Sequence, residues 1–420
     1  MIDELLTKEN LEFREKAKDI AERIIRPNAS RWDKDQIYPL ELVEELKKSD
    51  LLGVWIPEAY GGLGKGVLNL CILVEEFSRF CGACGVAYAV NALGSFPIIV
   101  MGTEEQKKKW LPMVVSGERP VAFCLSEKKA GSDAGSMKAT AQKEGDNYIL
   151  NGDKKWTTNG DFAKLYTFFG VTDQSKGARG ISGFIVPRET VGFSVGKFED
   201  KMGIRAACVN ETHFRDAKIP AENLLGGREG GGFKAAMMTL DRARPGVAAQ
   251  ALGLAQGAFE LARDFAMQRF QFKDASGKRM SIINHQSINF MLADMETKIE
   301  SARQLVYCAA KLCDMAEKEN IHPSRISKVA AMAKVLATDV ATDVSVNAVQ
   351  IFGGYGYVKE YHIEKYMRDA KITQIYEGTN QIQRLVIGRH IIRDAQESIK
   401  HGLAPHFFPE DEEVLPKLEL

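Results

Sequence analysis

The hydrophobic period of this chain changes twice, from helical to alternating and back, and that pattern limits the folds open to it to a helical part, a β part and a second helical part. In the first stretch Phe13, Ala17, Ile20 and Ile24 recur at helical spacing behind Thr7, a residue type that caps helix N-termini. Pro27 is expected to stop that run. Pro39, Val43 and Leu46 repeat the pattern as far as Gly53, and Leu68, Leu70, Ile72 and Val74 resume it after Tyr60-Gly61-Gly62. From about Pro120, alternating and β-branched segments at 121–124, 148–150, 166–171 and 183–186 predict strands of a mainly antiparallel domain. Asn151-Gly152 and Asn159-Gly160, dipeptides that favour tight hairpin turns, punctuate them. Beyond Phe233 helical stripes return at 245–270, 286–316 and 383–399, and one of Ile326, Val329, Ala333, Leu336, Val340 and Val344 runs up to Gly353-Gly354. Long helices with short connections predict an antiparallel bundle. The boundaries are 1–120, 121–232 and 233–397, with a proline-containing tail at 398–420.

Composition excludes several classes of function. With 420 residues, 45% hydrophobic and 27% charged, the chain is an ordinary globular one. Its 56 Lys plus Arg balance 56 Asp plus Glu, so no bulk charge draws it to nucleic acid or an anionic membrane. The most apolar stretch, 86–101, is broken by Asn91, Gly94, Ser95 and Pro97, which predicts a buried helix rather than a membrane span. No basic flank and apolar core open the chain, so a cytoplasmic protein is expected. Cys81-Gly-Ala-Cys84 is a C-x-x-C pair, but no second pair stands at metal-site spacing and the seven His residues are scattered, so no metal is expected. The glycines at 226–232 follow no parallel strand of a βαβ unit and read as a strand-to-helix linker.

Chemistry concentrates near the C-terminus, in Gln350-Ile-Phe-Gly353-Gly354-Tyr-Gly356-Tyr357, Arg368-Asp369 and Ile375-Tyr376-Glu377-Gly378-Thr379-Asn380-Gln381. Glu377 lies in a short polar connection between two helical patterns, beside a glycine that lets a ligand approach the backbone. It is a candidate general base, although residue type alone favours a solvated loop acid.

These segments resemble the C-terminal signature of the acyl-CoA dehydrogenase family, and Cys124-Leu125-Ser126-Glu127-Lys-Lys-Ala-Gly131-Ser132-Asp133 resembles its middle-domain signature. Ile56-Pro57-Glu58, Lys155-Trp156-Thr157-Thr158-Asn159-Gly160, Asn223-Leu224-Leu225-Gly226 and Leu240-Asp241-Arg-Ala-Arg244-Pro245 add to the match, which runs from the first helix to about Ile392. The resemblance implies an N-terminal helical domain, a middle antiparallel β barrel and a C-terminal four-helix bundle, assembled as a homotetramer. It implies FAD as cofactor, with Phe123, Leu125, Ser126, Trp156 and Thr158 contacting the flavin from the β domain and Thr379 and Gln381 from the C-terminal side. Arg269, Gln286, Gln350, Gly353 and Gly354 would hold the pyrophosphate and adenosine across a subunit interface. Ser132, Asp241, Arg244 and Gly378 would meet the acyl-CoA substrate, with Tyr376 packing over the acyl group.

The implied reaction is α,β-dehydrogenation: Glu377 takes the α-proton of a CoA thioester, flavin N5 accepts a hydride from the β-carbon, and electrons pass to an electron-transfer flavoprotein. Some family members carry the base on the helix after the β domain; the matching position here is Ala243, which cannot abstract a proton. Departures from the family pattern are Lys128, His362 and a longer connection at 271–284, which bears on Gln286. Asn91 falls where the family lines its acyl pocket, with simple helix packing an equal reading; a polar group there, together with the altered connection, sets a compact or cyclic acyl group beside a straight chain. An acyl-CoA oxidase and a non-enzymatic acyl-CoA-binding assembly protein are the further readings.

Overall fold

A computed structural model of the chain describes residues 6–316, 319 and 321–401. The expected tail from 402 onward lies outside the described residues. The first helices are α1 (Lys8–Ile20), α2 (Arg26–Asp35), α3 (Leu40–Lys48), α4 (Gly66–Ser78), α5 (Gly82–Met101) and α6 (Glu104–Val115). Thr7 caps α1 as expected: its hydroxyl accepts from Asn10 N–H, and the Asn10 side chain answers the Thr7 N–H. Pro27 does not stop the run. A π-turn at Ala21–Ile25 joins α1 to α2, and Pro27 sits in the first turn of α2, where its missing N–H costs nothing. Helix α5 is long and apolar enough to cross a membrane by length and composition, yet most of it is packed into the core.

The middle part is one curled seven-stranded sheet: β1 (Val121–Cys124), β2 (Thr140–Glu144), β3 (Asn147–Thr158), β4 (Leu165–Val171), β5 (Ile181–Pro187), β6 (Phe193–Phe198) and β7 (Val209–Pro220). Most pairs are antiparallel, but β1 and β4 run parallel, because the β2–β3 hairpin is inserted between them and supplies the crossover. Asn151-Gly152 is not a hairpin turn. It lies within β3, where the register against β7 slips between Leu150 and Gly152, and a Cβ on Gly152 would meet the Ala139 side chain at 2.5 Å. The hairpin turn is at Gly145-Asp146 instead. The dipeptide signal was thus a bulge, which wants glycine for the same steric reason.

The glycines at 226–232 form the linker into α7 (Gly232–Gln268), followed by a small hairpin of β8 (Phe270–Lys273) and β9 (Arg279–Ser281), then α8 (Gln286–Met315), α9 (Pro323–Phe352), α10 (Ile363–Thr373) and α11 (Asn380–Lys400). The longer connection at 271–284 is therefore structured, closed by Asp274, whose carboxylate accepts from the Ser276 and Lys278 N–H groups. Helices α7, α8, α9 and α11 form the bundle, and α4 and α5 pack on α7. The α4–α7 approach is close enough that a Cβ on Gly257 would lie 1.9 Å from the Arg79 carbonyl oxygen. Gly257→Ala should therefore force the two helices apart and cost about 1–3 kcal/mol, read as a lower midpoint in chemical unfolding.

Candidate active site

Tyr376, Glu377, Gly378 and Thr379 form the non-helical connection between α10 and α11, and the backbone there is bent hard. Glu377 has φ +52° and Gly378 φ +94°. A left-handed conformation is strained for a glutamate and persists only where the surroundings enforce it. They do so through the backbone. Arg244 Nε donates to the Glu377 carbonyl at 3.4 Å, and Gln383 Nε2 donates to the Glu377 and Gly378 carbonyls at 3.2 and 3.0 Å. Thr379 caps α11 by accepting from Ile382 N–H. The Glu377 N–H meets no backbone carbonyl acceptor among the described residues.

The Glu377 side chain is partly buried and its Oε2 has no hydrogen-bond partner. Burial raises its carboxyl to about 7, while the Arg244 guanidinium and the Lys334 ammonium pull it back. Arg244 is itself buried and bonds Asp241 at 2.6 Å. Tyr376 reaches Gln250 on α7 through its hydroxyl, and Gln250 in turn donates to the Gly82 carbonyl at 2.8 Å. So Glu377, Tyr376, Gly378, Asp241, Arg244 and Thr379 come together as expected from the sequence.

A second group lies on the sheet. Phe123 on β1 packs against Phe169, and Leu125 and Ser126 follow β1, held to β3 by the Lys155 N–H donating to the Ser126 carbonyl at 2.9 Å. Trp156 sits on the β3 bulge at φ +56° with 56% of its surface exposed, and Thr158 ends the strand. Behind them Lys154 and Glu127 form a buried pair at 2.8 Å. Lys154 also donates to the Leu125 carbonyl at 3.1 Å, and Glu127 accepts from the Lys138 and Ala139 N–H groups. Ser132 is exposed on the loop between β1 and β2.

The third group stands apart. Arg269, Gln271, Gly353 and Gly354 line one open groove between the ends of α7 and α9, and a Cβ on either glycine would touch nothing within 4 Å. Arg269 lies over the Tyr355 ring at 5.1 Å. Gln350 and Gln286 are exposed at the last turn of α9 and the first of α8, and Gln381 is exposed in the first turn of α11. Nineteen residues of α9 separate Lys334, which touches the Glu377 loop, from Gly353, or roughly 28 Å at the helical rise.

Asn91 does not join any of these groups. Its amide nitrogen donates to the Ala87 and Tyr88 carbonyls, and its oxygen accepts from Val121 N–H at 3.1 Å, so it ties α5 to β1 with neither end left for a ligand. Among the described residues no cluster of three or more His, Cys, Asp or Glu could hold a metal, and Cys81 and Cys84 are buried at the start of α5.

The arrangement fits a flavin dinucleotide. Trp156 presents an apolar face, the bare Gly353-Gly354 backbone beside Arg269 suits a pyrophosphate, and the Glu377 carboxyl keeps one oxygen without a hydrogen-bond partner. Sequence reasoning missed Lys334, Gln383, Gln250 and the Lys154–Glu127 pair. The one signal for Lys334 was a lysine set within an apolar helical stripe; Leu336, taken as part of that stripe, is 37% exposed while Lys334 is fully buried.

Comparison with known proteins gives the same answer by an independent route. Residues 7–118, 122–217 and 230–392 match the acyl-CoA dehydrogenase N-terminal, middle and C-terminal domains. The chain is 46% identical to a short-chain specific acyl-CoA dehydrogenase of Megasphaera elsdenii over 92% of this chain and 99% of that one. Its fold superposes on butyryl-CoA dehydrogenase from Megasphaera elsdenii with a TM-score of 0.87 at 44% identity, covering 92% and 99% of the two chains. It superposes equally, TM-score 0.87 at 46% identity over 93% and 99%, on a chain from structural work on the electron transferring flavoprotein of Acidaminococcus fermentans. With all three domains matched and relatives of this identity covered almost end to end, the chain belongs to the acyl-CoA dehydrogenase family.

Proposed function

We propose that this FAD-dependent oxidoreductase dehydrogenates a short-chain acyl-CoA, with Glu377 as the base that removes the α-proton. The observation that carries the reading is the Glu377 carboxyl itself: one oxygen unpartnered, raised to about 7, on a strained loop held by Arg244, Gln383 and Lys334. A base poised near neutrality combines the ionised form with enough basicity to take a proton from carbon. Bound FAD supplies the hydride acceptor. The Glu377 N–H is free to donate to the thioester carbonyl as negative charge builds on its oxygen, which lowers the barrier to enolate formation. Asp241 and Arg244 would meet the CoA arm, and Tyr376 would pack beside the acyl group.

A short acyl group is supported by the likeness to the short-chain specific acyl-CoA dehydrogenase and the butyryl-CoA dehydrogenase of Megasphaera elsdenii. The cyclic alternative drew on Asn91, whose amide is spent within the protein. Measured turnover should be highest for butyryl-CoA, lower for octanoyl-CoA and lowest for cyclohexanecarboxyl-CoA; a preference for octanoyl-CoA or the cyclic thioester would reject the short-chain reading. An electron-transfer flavoprotein is the proposed acceptor, in keeping with the Acidaminococcus fermentans match, and rapid peroxide formation during turnover would point to an oxidase instead. A homotetramer is proposed because the Arg269 and Gly353-Gly354 groove lies too far along α9 to serve the same chain's Glu377 loop, and a neighbouring copy would complete each site.

The pH dependence follows from the raised carboxyl. The base works only when ionised, so kcat/KM should rise with pH through a limb near pH 7, rather than near the ordinary carboxylate range of about 4.

A further inference from the structure

A buried lysine stands directly behind the Glu377 loop, outside both signature segments. Lys334, in the middle of α9, is fully buried, and its ammonium donates to the Gly378 carbonyl at 3.0 Å and to Asn380 Oδ1 at 2.8 Å. Burying an ammonium is costly unless its donors are used and its charge is met, and an apolar side chain of similar length would fill the same space at no such cost. Here two donors are used, both on the loop. Asn380 is gripped from its other end as well: Nδ2 donates to Thr338 Oγ1 at 2.9 Å and to Asp339 Oδ1 at 2.8 Å, and Asp339 also accepts from Gln374 Nε2 at 2.7 Å. Two adjacent turns of α9 therefore hold the connection on both sides of its left-handed residues, Glu377 and Gly378.

The charge matters as well as the bonds. Facing Lys334 and the Glu377 carboxyl are Arg244 and Asp241 from α7, Asp339 from α9 itself and Arg384 from α11. Asp241 is bonded to Arg244 and Asp339 to Arg384, so these four groups largely answer one another. Burial lowers the Lys334 pKa and the attraction of Glu377 opposes that fall, so the ammonium and the Glu377 carboxylate each favour the other's charged form.

Resting on the reading of Glu377 as the base, we propose that Lys334 is a positioning residue, whose ammonium locks the loop through Gly378 and Asn380 and supplies buried positive charge that favours the ionised Glu377 carboxylate. It touches neither substrate nor cofactor; it acts through Glu377. The consequence has a definite sign. Removing the cation removes one of two influences that lower the Glu377 pKa, so the base is more protonated at neutral pH and the acid limb of turnover moves upward.

Three variants separate charge from bonding: Lys334→Met removes both, Lys334→Gln keeps a donor amide without charge, and Lys334→Arg keeps the charge. Each is purified with FAD, checked for flavin content and thermal unfolding, and its kcat/KM for butyryl-CoA is followed against pH. The expected result is a limb raised by about one pH unit in Lys334→Met and Lys334→Gln, with activity at pH 7 down about 5-fold from that shift and further in Lys334→Met, where the loop bonds are lost too, and a limb restored toward the parent position in Lys334→Arg. A folded, flavin-loaded Lys334→Met with the limb unmoved overturns the proposal even if its turnover is low, because a structural prop alone would give that. Should Lys334→Met not fold, the near-isosteric Lys334→Gln decides by the same shift. Glu377→Gln, assayed alongside, distinguishes the two failures: full turnover there sinks the base assignment, whereas an inactive Glu377→Gln beside an unmoved limb sinks only the role of Lys334.

Discussion

Glu377→Gln is expected to lower butyryl-CoA dehydrogenation by about 10²–10⁴-fold, the range general-base catalysis contributes, while flavin content and fold stay as they are. The structure says why the loss should be this selective. The contacts that hold the loop from Arg244 and Gln383 reach the backbone carbonyls of Glu377 and Gly378, not the side chain. An amide of the same shape therefore leaves the left-handed loop in place and removes only the proton acceptor. A stability readout runs the opposite way to activity. The carboxyl titrates at about 7 in the folded protein and near its usual 4.5 when unfolded, so its burial weakens the fold as pH rises from 4.5 through 7. The amide carries no such penalty. Above pH 7 Glu377→Gln should melt no lower than the parent enzyme, which separates lost chemistry from lost structure.

Arg303→Met is expected to have the largest effect on stability, about 3–5 kcal/mol. Arg303 on α8 is fully buried. It donates to Glu75 on α4 at 3.0 Å and to Gln256 on α7 at 2.8 Å, and it pairs with Glu300 one turn away. Tyr307 donates to the second Glu75 oxygen at 2.6 Å, and Arg14 on α1 joins Tyr307 and stands 3.4 Å from the buried Glu76. One ionic network thus ties the N-terminal helices to the bundle through α7 and α8. Replacing the arginine leaves the buried Glu75 carboxyl, among the described residues, with the Tyr307 hydroxyl as its remaining hydrogen-bond partner, beside a Glu76 already raised to about 7, first by its burial and then by Glu75. Denaturant unfolding measures the loss directly. Arg303→Met combined with Glu75→Leu should recover much of it, since an apolar pair avoids the stranded charge; a double variant no better than the single would show that packing around Arg303, rather than charge, sets its cost.

The helical parts were legible because their cores are written as stripes: Phe13, Ala17 and Ile20 are all buried on α1, and Ala333, Val340 and Val344 on α9. What misled the reading was punctuation. Pro27 looked like a stop, but a π-turn carries the chain past it, and Asn151-Gly152 looked like a hairpin although the same left-handed tolerance serves a bulge within β3. Strands β2, β6 and β7 were not seen, since β2 and β6 are largely solvent-facing and β7 carries Glu211, Arg215, Asp216 and Lys218 outside its buried residues. Of the site, Glu377 and its neighbours were legible because they are contiguous. Lys334, Gln383 and Gln250 act on the loop from three different helices, and no spacing within the chain announces that they meet. Asn91 shows the converse: a polar residue in an apolar helix drew attention as a pocket group, and it proves to bridge α5 and β1.

The central claim is that the Glu377 carboxylate removes a proton from a thioester held against the flavin. Its most direct test is a single turnover without oxygen, following the loss of flavin absorbance when butyryl-CoA is mixed with the flavin-loaded enzyme and with Glu377→Gln across the pH range. The account predicts rapid bleaching in the parent enzyme, with a rate that climbs through pH 7, and negligible bleaching in the variant at any pH. Bleaching of Glu377→Gln at the parental rate would contradict it and place the base elsewhere.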